Sequence, residues 1–307
     1  MRHIIGISIG GTKSAICYAT LEDKEIIHID KKQIPSSPND PYKNMDDVCA
    51  VLDTFPQDFD FISVICGSPM DAKAGIIRQP SNLPGWIDFP ILDILKRRYN
   101  VPAKLLNDAD ASALAEYHYG AGQGTNNFIY MIMGTGFGSG IIINGKLYTG
   151  SSCNAGEIGH VRVSEDGYMP RNKKPGSAEG FVSGGGVGDE GELLAKHHPS
   201  SSLKNYYKVN GKAVFDEARK GDELANLIVD QCAKKLGEAI AIYLDLLNPD
   251  MIAIGGIYPR CIDLLEDKVL ESAKANALEL NYDSSKIVPS MLDERIDDYS
   301  SLMGIYL

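Results

Sequence analysis

The sequence predicts an α/β fold built from two related halves, each opening with a glycine-turn hairpin. The first hairpin turns at Gly6–Lys13 (GISIGGTK) and continues into the apolar run Ala15–Ala19. The second turns at Gly134–Gly140 (GTGFGSG), between the apolar runs Asn127–Met133 and Ile141–Ile143. These flanking runs are short, lack helical caps and are rich in β-branched or aromatic residues, so they are predicted to be strands. Two such hairpins about 125 residues apart indicate a repeated unit.

A third glycine pair follows a predicted strand late in the chain. Apolar residues at helical spacing predict a long helix over Asp222–Leu247, which Asn248-Pro249 ends. The strand Asp250–Ile254 comes next, then Gly255-Gly256, and a helix is predicted from about Tyr258. A glycine pair between strand and helix lets a flat group approach the backbone closely.

The glycine turns do not fit two familiar phosphate-binding patterns. A P-loop requires Lys where Thr12 stands, and a dinucleotide fingerprint requires a different glycine spacing that opens a helix. A strand–turn–strand hairpin can still present bare backbone N–H groups to an anion. Either hairpin alone would be interpreted as an ordinary tight turn. The pair, with a Thr beside a Gly in both, favours phosphate binding.

Between the two hairpins, a short strand is predicted to end at Leu106 and a helix to begin near Ala109. Asn107 and Asp108 lie at that junction. On position alone, one of them would be interpreted as the helix N-cap.

Composition limits the possible partners and compartments. A chain of 307 residues suggests two domains at about 100–200 residues each. Its net charge of −11 argues against a nucleic-acid surface, which needs clustered Lys and Arg. No apolar run has the length of a membrane span, and no signal-peptide layout precedes the first strand. The six cysteines form no CxxC pair, which predicts reduced thiols in a cytoplasmic protein.

Five motifs together resemble the ROK family of bacterial sugar kinases and repressors. They are GISIGGTK, LLNDADASALAE at 105–116, GTGFGSGIIINGKLYTG at 134–150, NAGEIGHV at 154–161 and NPDMIAIGG at 248–256. The resemblance implies two ribonuclease-H-like domains of the actin-like ATPase fold with a cleft between them. The expected domains are 1–117, with a final helix at 298–306 packing back on it, and 118–297.

The resemblance also implies a set of site residues and ligands. Asp108 matches the family's catalytic base. Positions matching sugar contacts are Asn82, Asn107, Glu157, His160 and Glu179. Positions matching nucleotide contacts are Gly10, Gly11, Thr12, Lys13, Gly134, Thr135, Gly136, Gly138, Gly255 and Gly256. The implied reaction is transfer of phosphate from ATP, with Mg²⁺, to a hexose hydroxyl, glucose being the leading substrate, and a homodimer is expected.

The sequence departs from the family pattern in two places. Ser8 stands where the family has an Asp that helps to hold Mg²⁺; a hydroxyl supplies only a dipole to that cation. The family's structural zinc uses a His and three cysteines, whose positions here hold His160, Pro170, Asn172 and Ser177. A structural zinc site needs about four ligands, so we expect no zinc.

Two other functions remain open on the sequence. The first is a sugar sensor without catalysis that acts through a protein partner, since no DNA-binding module fits before the first strand. The second is a structural or chaperone-like ATPase of the same fold, against which the sugar-contact residues argue. We expect a kinase with altered metal handling, because the base and the sugar-contact residues are all present.

Overall fold

The computed structural model describes residues 1–23, 25–165 and 174–307. The chain forms two compact units. The first comprises Met1–Ala115, Leu147–Ala155 and Glu294–Leu307, and the second comprises Glu116–Lys146 and Gly156–Asp293. The segment 147–155, which the sequence-based division assigns to the second domain, groups with the first unit.

The first unit is a five-stranded sheet with helices on it. In chain order its elements are β1 (Arg2–Ile9), β2 (Lys13–Glu22), β3 (Glu25–Pro35), α1 (Pro41–Leu52), β4 (Phe61–Cys66), β5 (Met70–Asp71), β6 (Ile76–Ile77), α2 (Ile91–Tyr99) and β7 (Ala103–Asn107). Helix α3 (Asp108–Tyr119) follows β7 directly and continues into the second unit.

The second unit repeats this plan with more helices. Its elements are β8 (Phe128–Met133), β9 (Phe137–Ile143), β10 (Lys146–Leu147), α4 (Ala178–Val182), α5 (Gly184–Ala195), α6 (Gly211–Arg219), α7 (Glu223–Leu247), β11 (Met251–Gly256), α8 (Ile257–Arg260), α9 (Ile262–Asn276), α10 (Glu279–Ser284) and β12 (Lys286–Pro289). The chain then returns to the first unit with α11 (Ile296–Ser300) and a 3₁₀ turn at Met303–Tyr306.

Both large sheets have the same strand order, which confirms the prediction of an α/β fold with two related halves. The orders are β3-β2-β1-β4-β7 and β10-β9-β8-β11-β12. In each sheet the first two strands are an antiparallel hairpin, and the last two strands run parallel to the first. The carboxyl ends of the parallel strands, β1, β4 and β7 in one sheet and β8, β11 and β12 in the other, therefore lie at the same end of the sheet as its glycine turn.

Different segments of the chain pack on the two faces of the first sheet. Ile5, Ile7 and Ile9 alternate onto one face and join the core formed with α1 and α2. Gly6 lies on the opposite face, where a Cβ would come within 2.5 Å of the Ser301 hydroxyl oxygen. The absence of a side chain at Gly6 therefore lets the segment that follows α11 pack directly on the sheet.

The long helix α7 confirms the element predicted from periodicity. The Asp222 carboxylate caps it by accepting from the Ala225 N–H, and Asn248 ends it in the left-handed conformation, at φ 40°. Its buried face packs on α9, α4 and α6 in the core of the second unit. None of the described helices is both long and apolar enough to cross a membrane.

Glu116 is a fully buried carboxylate of α3 that accepts four hydrogen bonds. One oxygen accepts from the Ser290 hydroxyl and from the Leu292 N–H at 2.8 Å. The other accepts from the N–H groups of Ala121 at 2.8 Å and Met291 at 3.3 Å. The carboxylate thus fastens two loops of the second unit to the helix.

Glu190, on α5, is a largely buried carboxyl group that, unlike Glu116, lacks hydrogen bonds to one of its oxygens. Its Oε2 is buried without a hydrogen-bond partner among the described residues. Desolvation by burial raises the pKa of Glu190 to about 7. The Cys232 thiol of α7 lies nearby, and its pKa is raised by burial and, to a lesser extent, by this carboxylate.

We expect Glu116→Gln to destabilise the protein by about 2–3 kcal/mol, although the two side chains have the same shape. An amide has one acceptor oxygen, so its NH₂ group would face hydrogen-bond donors that are now satisfied. Urea unfolding of the variant measures this loss. Glu271→Gln, at an exposed position of α9, is the matched control. Equal stability of the two variants would contradict the role given to Glu116.

We expect Glu190→Gln to stabilise the protein at pH 8 by about 2 kcal/mol and to change little at pH 5. The pKa of Glu190 is higher in the folded protein, about 7, than its ordinary value of 4.5. Its contribution to stability is therefore complete below pH 4.5 and is lost as the pH rises through 7. Thermal melts of wild type and variant across this range measure the effect. Parallel curves of Tm against pH would refute it.

Candidate active site

The first glycine turn connects β1 to β2 through Gly10, Gly11 and Thr12. The Gly10 N–H donates to the carbonyl of Lys13 at 3.1 Å, which closes the turn. A Cβ on Gly11 would lie 2.6 Å from the backbone carbonyl oxygen of Asn82. Thr12 and Lys13 are exposed. The residues predicted to bind phosphate thus lie together on one turn, and Gly11 is needed there for packing as well.

A cavity of about 240 Å³ lies beside this turn, within the first unit. The turn residues Gly10–Lys13 are part of its lining. Ser8 of β1 lines it next to the turn, and Lys31 of β3 and Asp297 of α11 contribute charged groups. Sequence reasoning found the turn and Ser8 but missed Lys31 and Asp297, since strand pairing and the return of the chain bring them there.

Asn107 and Asp108 lie where β7 ends and α3 begins, as predicted. The Asn107 amide oxygen accepts from the N–H groups of Ala109 at 2.8 Å and Asp110 at 3.3 Å, so it caps the helix. Its amide nitrogen donates to the Ser68 hydroxyl at 2.8 Å. The capping role considered from the sequence therefore belongs to Asn107.

Asp108 is exposed at the first position of α3. Its Oδ1 accepts from the Ala109 N–H at 2.9 Å. Its Oδ2 is 3.8 Å from the point where a Cβ on Gly67 would lie. The pKa of the Cys66 thiol is raised mainly by burial and, to a smaller extent, by the negative charge of Asp108. Cys66 therefore stays a neutral thiol beside this carboxylate.

Asn82 lies in an exposed turn of the loop that follows β6. Its backbone carbonyl and its Cβ both pack on Gly11, and the residue as a whole is exposed. Trp86 anchors the same loop to the core, because its indole is fully buried and its N–H donates a hydrogen bond to the Ser37 carbonyl at 3.3 Å.

The second glycine turn is shorter than predicted. It comprises Gly134, Thr135 and Gly136, because β9 begins at Phe137. The prediction that the turn extends through Gly138 is wrong, because Gly138 is a strand residue paired with Ile132; its contact with a nucleotide stays a prediction. No local sequence signal marks this boundary, because only pairing with β8 makes these glycines strand residues.

Helix α5 supports this second turn with its first backbone N–H groups. Gly184 donates to the Gly134 carbonyl at 2.8 Å, and Gly185 donates to the Thr135 carbonyl at 3.2 Å. Ser183 caps the helix by accepting from the Gly186 N–H at 2.9 Å. Sequence reasoning did not use this serine followed by three glycines, although a serine before a helix start is a capping signal.

Glu179 of α4 contacts the same turn from its side chain. Its Oε2 accepts from the Phe137 N–H at 3.2 Å and lies 2.9 Å from the position of a Cβ on Gly136. Glu157 precedes the 3₁₀ turn Ile158–His160, and 3.9 Å separates the Glu157 Oε2 from the His160 Nε2. Both side chains are about half exposed, so their polar atoms are open to a ligand.

Backbone pairing holds the described ends of the loop where the family's zinc ligands would be expected. Val163 donates to the Gly176 carbonyl and Ala178 to the Val161 carbonyl, both at 2.8 Å. Ser177 is fully buried, while Pro170 and Asn172 lie outside the described residues. Within the described ranges, no group of three or more His, Cys, Asp or Glu side chains is placed to hold a metal ion.

Gly255 and Gly256 are the last residues of β11, and α8 begins one residue earlier than predicted, at Ile257. A Cβ on Gly255 would come within 2.0 Å of the Tyr130 hydroxyl oxygen. Gly256 has a φ of 79°, and a Cβ there would come within 2.3 Å of the Met133 carbonyl oxygen. Both glycines are thus required by close packing against β8.

The relatives of known activity include sugar kinases of two specificities. The glucokinase of Halalkalibacterium halodurans is 33% identical over 290 residues, which are 90% of this chain and 87% of the relative. The N-acetylmannosamine kinase of Yersinia pestis is 29% identical over 266 residues, 85% of each protein.

Solved structures share the fold over nearly the whole chain. A ROK family glucokinase from Streptomyces griseus, in complex with glucose and AMPPNP, has a TM-score of 0.75 at 26% identity, covering 98% of both chains. A ROK family transcriptional regulator has a TM-score of 0.84 at 21% identity, covering 99% of this chain and 78% of the regulator. The ROK family pattern itself matches residues 4–305. This chain therefore belongs to the ROK family.

Proposed function

We propose that this protein is an ATP-dependent sugar kinase that phosphorylates a hexose, with glucose as the leading substrate and Asp108 as the general base. The observation that carries the proposal is the exposed Asp108 carboxylate at the start of α3, in a chain 33% identical to a glucokinase. The N-acetylmannosamine kinase relatives support the wider class of hexoses and amino sugars.

Asp108 has the chemistry that phosphoryl transfer to an alcohol needs. Catalysis of this reaction rests on positioning and on electrostatic stabilisation, with a carboxylate that orients the hydroxyl and accepts its proton. The Ala109 N–H fixes one oxygen of Asp108, and the other lies on the side of Gly67, 3.8 Å from where a Cβ on that glycine would be. In the proposal, the sugar hydroxyl donates to that second oxygen.

The proposed sugar contacts are polar groups that together can donate hydrogen bonds to sugar hydroxyls and accept hydrogen bonds from them. In the first unit, Asn107 is held by its cap and by Ser68, and Asn82 presents an exposed amide. In the second unit, Glu157, His160 and Glu179 supply two carboxylates and an imidazole. Groups of this kind discriminate among sugars by the hydroxyls they satisfy, because a missing partner leaves a polar group unpaired.

The two glycine turns are the proposed phosphate contacts, with Gly10–Lys13 in the first unit and Gly134–Gly136 in the second. Bound Mg²⁺ would neutralise charge on the transferring phosphate. It keeps several waters and binds chiefly to phosphates, so the Asp297 carboxylate and the Ser8 hydroxyl would suit it, while Lys13 and Lys31 of the same cavity would face the phosphates. Gly255 and Gly256, which pack on β8, are proposed to flank the adenosine.

We expect Asp108→Asn to lower kcat by about 10²–10⁴-fold with glucose, because the amide cannot accept the hydroxyl proton. The measurement is a coupled assay with ATP and Mg²⁺ across glucose, N-acetylmannosamine and other hexoses. Asp46→Asn, exposed on α1, is the matched control and should leave kcat unchanged.

Two results would contradict the proposal. The first is an Asp108→Asn variant as active as wild type, which would remove the base. The second is no turnover of any sugar by wild type although calorimetry detects sugar binding, which would favour the sensor function considered from the sequence.

A further inference from the structure

The cavity beside the first glycine turn has a floor made by one face of the first sheet. Two rows of cross-strand neighbours form this face across β1, β2 and β3: Gly6–Cys17–Lys31, and, nearer the turn, Ser8–Ala15–Gln33. Side chains in neighbouring rows on one face point the same way. Ser8, Ala15 and Gln33 line the cavity directly below the turn.

Helix α11 and the residue after it lie over the row that is farther from the turn. Ser301 packs on Gly6, since a Cβ there would meet its hydroxyl oxygen, and the Lys31 ammonium forms an ion pair with Asp298. Asp297 lines the cavity together with the turn and Ser8. Asp297 is therefore on the side of α11 that faces the turn.

The two neighbouring aspartates of α11 differ in their partners. Asp298 is neutralised by Lys31. Asp297 is exposed, and its side chain makes no hydrogen bond or close ion pair with the described residues, so the Lys31 charge acts on it only at longer range. It is also the one carboxylate among the described residues lining this cavity.

A carboxylate whose nearest cation, Lys31, is already paired with Asp298 is unfavourable next to a triphosphate, because like charges repel. A hydrated divalent cation between the carboxylate and the triphosphate turns this repulsion into a net attraction, since its water molecules donate hydrogen bonds to both groups. Ser8 cannot replace the carboxylate in this role, because its hydroxyl carries no net charge. The geometry thus pairs the phosphate turn with a negative group that needs a cation.

We propose that Asp297 binds, through water, the Mg²⁺ that accompanies ATP at the Gly10–Lys13 turn, and so makes nucleotide binding depend on that cation. The inference rests on the proposed function, which assigns the triphosphate to this turn. The alternative is that Lys13 and Lys31 bind the phosphates directly and that Asp297 has no part in holding the cation.

The two possibilities predict opposite results for Asp297→Asn in the presence of Mg²⁺. If Asp297 holds the hydrated cation, the variant binds ATP more tightly without Mg²⁺, because repulsion is gone, and less tightly with it. If lysines alone bind the phosphates, the variant binds ATP more tightly in both conditions.

The experiment is isothermal titration calorimetry of ATP binding to the full chain, in EDTA and in excess Mg²⁺. We expect the ratio of ATP affinities with and without Mg²⁺ to fall roughly tenfold in Asp297→Asn. Asp297→Ser should behave alike, and Glu294→Gln, exposed in the same segment, should keep the wild-type ratio. Adding Ser8→Asp to Asp297→Asn places a carboxylate on the cavity floor and should restore most of the ratio.

The outcomes separate this inference from the proposed function. An unchanged ratio in both Asp297 variants, or tighter binding in both conditions, overturns the role of Asp297 and leaves the kinase intact if Asp108-dependent turnover persists. No binding of ATP by wild type in either condition overturns both.

Discussion

The glycine turns of the two units depend on one constraint, which is that backbone atoms of another segment pack on or hydrogen-bond to each turn. In the first unit the Asn82 carbonyl oxygen is only 2.6 Å from where a Cβ on Gly11 would lie. In the second, the first N–H groups of α5 bind the carbonyls of Gly134 and Thr135. Backbone supports of this kind keep the N–H groups of a turn fixed before any ligand arrives, which is the condition for efficient electrostatic recognition.

The repeated strand order explains why sequence reasoning reached the fold. Each half begins with a strand, a glycine turn and a second strand, a pattern that is visible in the sequence. The period-2 alternation of apolar residues within the strands predicts which side chains enter the core. The long helix α7 was predictable for the same reason, since its cap Asp222 and its terminator Asn248 are local signals. The β9 boundary was not, because Gly138 in isolation favours a turn and only pairing with Ile132 makes it a strand residue.

The candidate site was predictable where its residues lie in contiguous motifs, and Asn107-Asp108 is the clearest case. The remainder depends on segments distant in the chain. Asp297 comes to the Ser8 side of the first sheet only because the last residues return to the first unit and Gly6 leaves room for Ser301. The N-terminal N–H groups of α5 reach the second turn by the same kind of tertiary placement. Local propensity contains no information about either arrangement.

The contact between Glu179 and the second turn has a thermodynamic consequence. One oxygen of this carboxylate accepts from the Phe137 N–H and touches Gly136, so any molecule that draws Glu179 away alters the turn itself. Under the proposed function, sugar and nucleotide then share a coupling free energy. That coupling is reciprocal: whatever factor the first occupant imposes on the affinity for the second, the second imposes on the first.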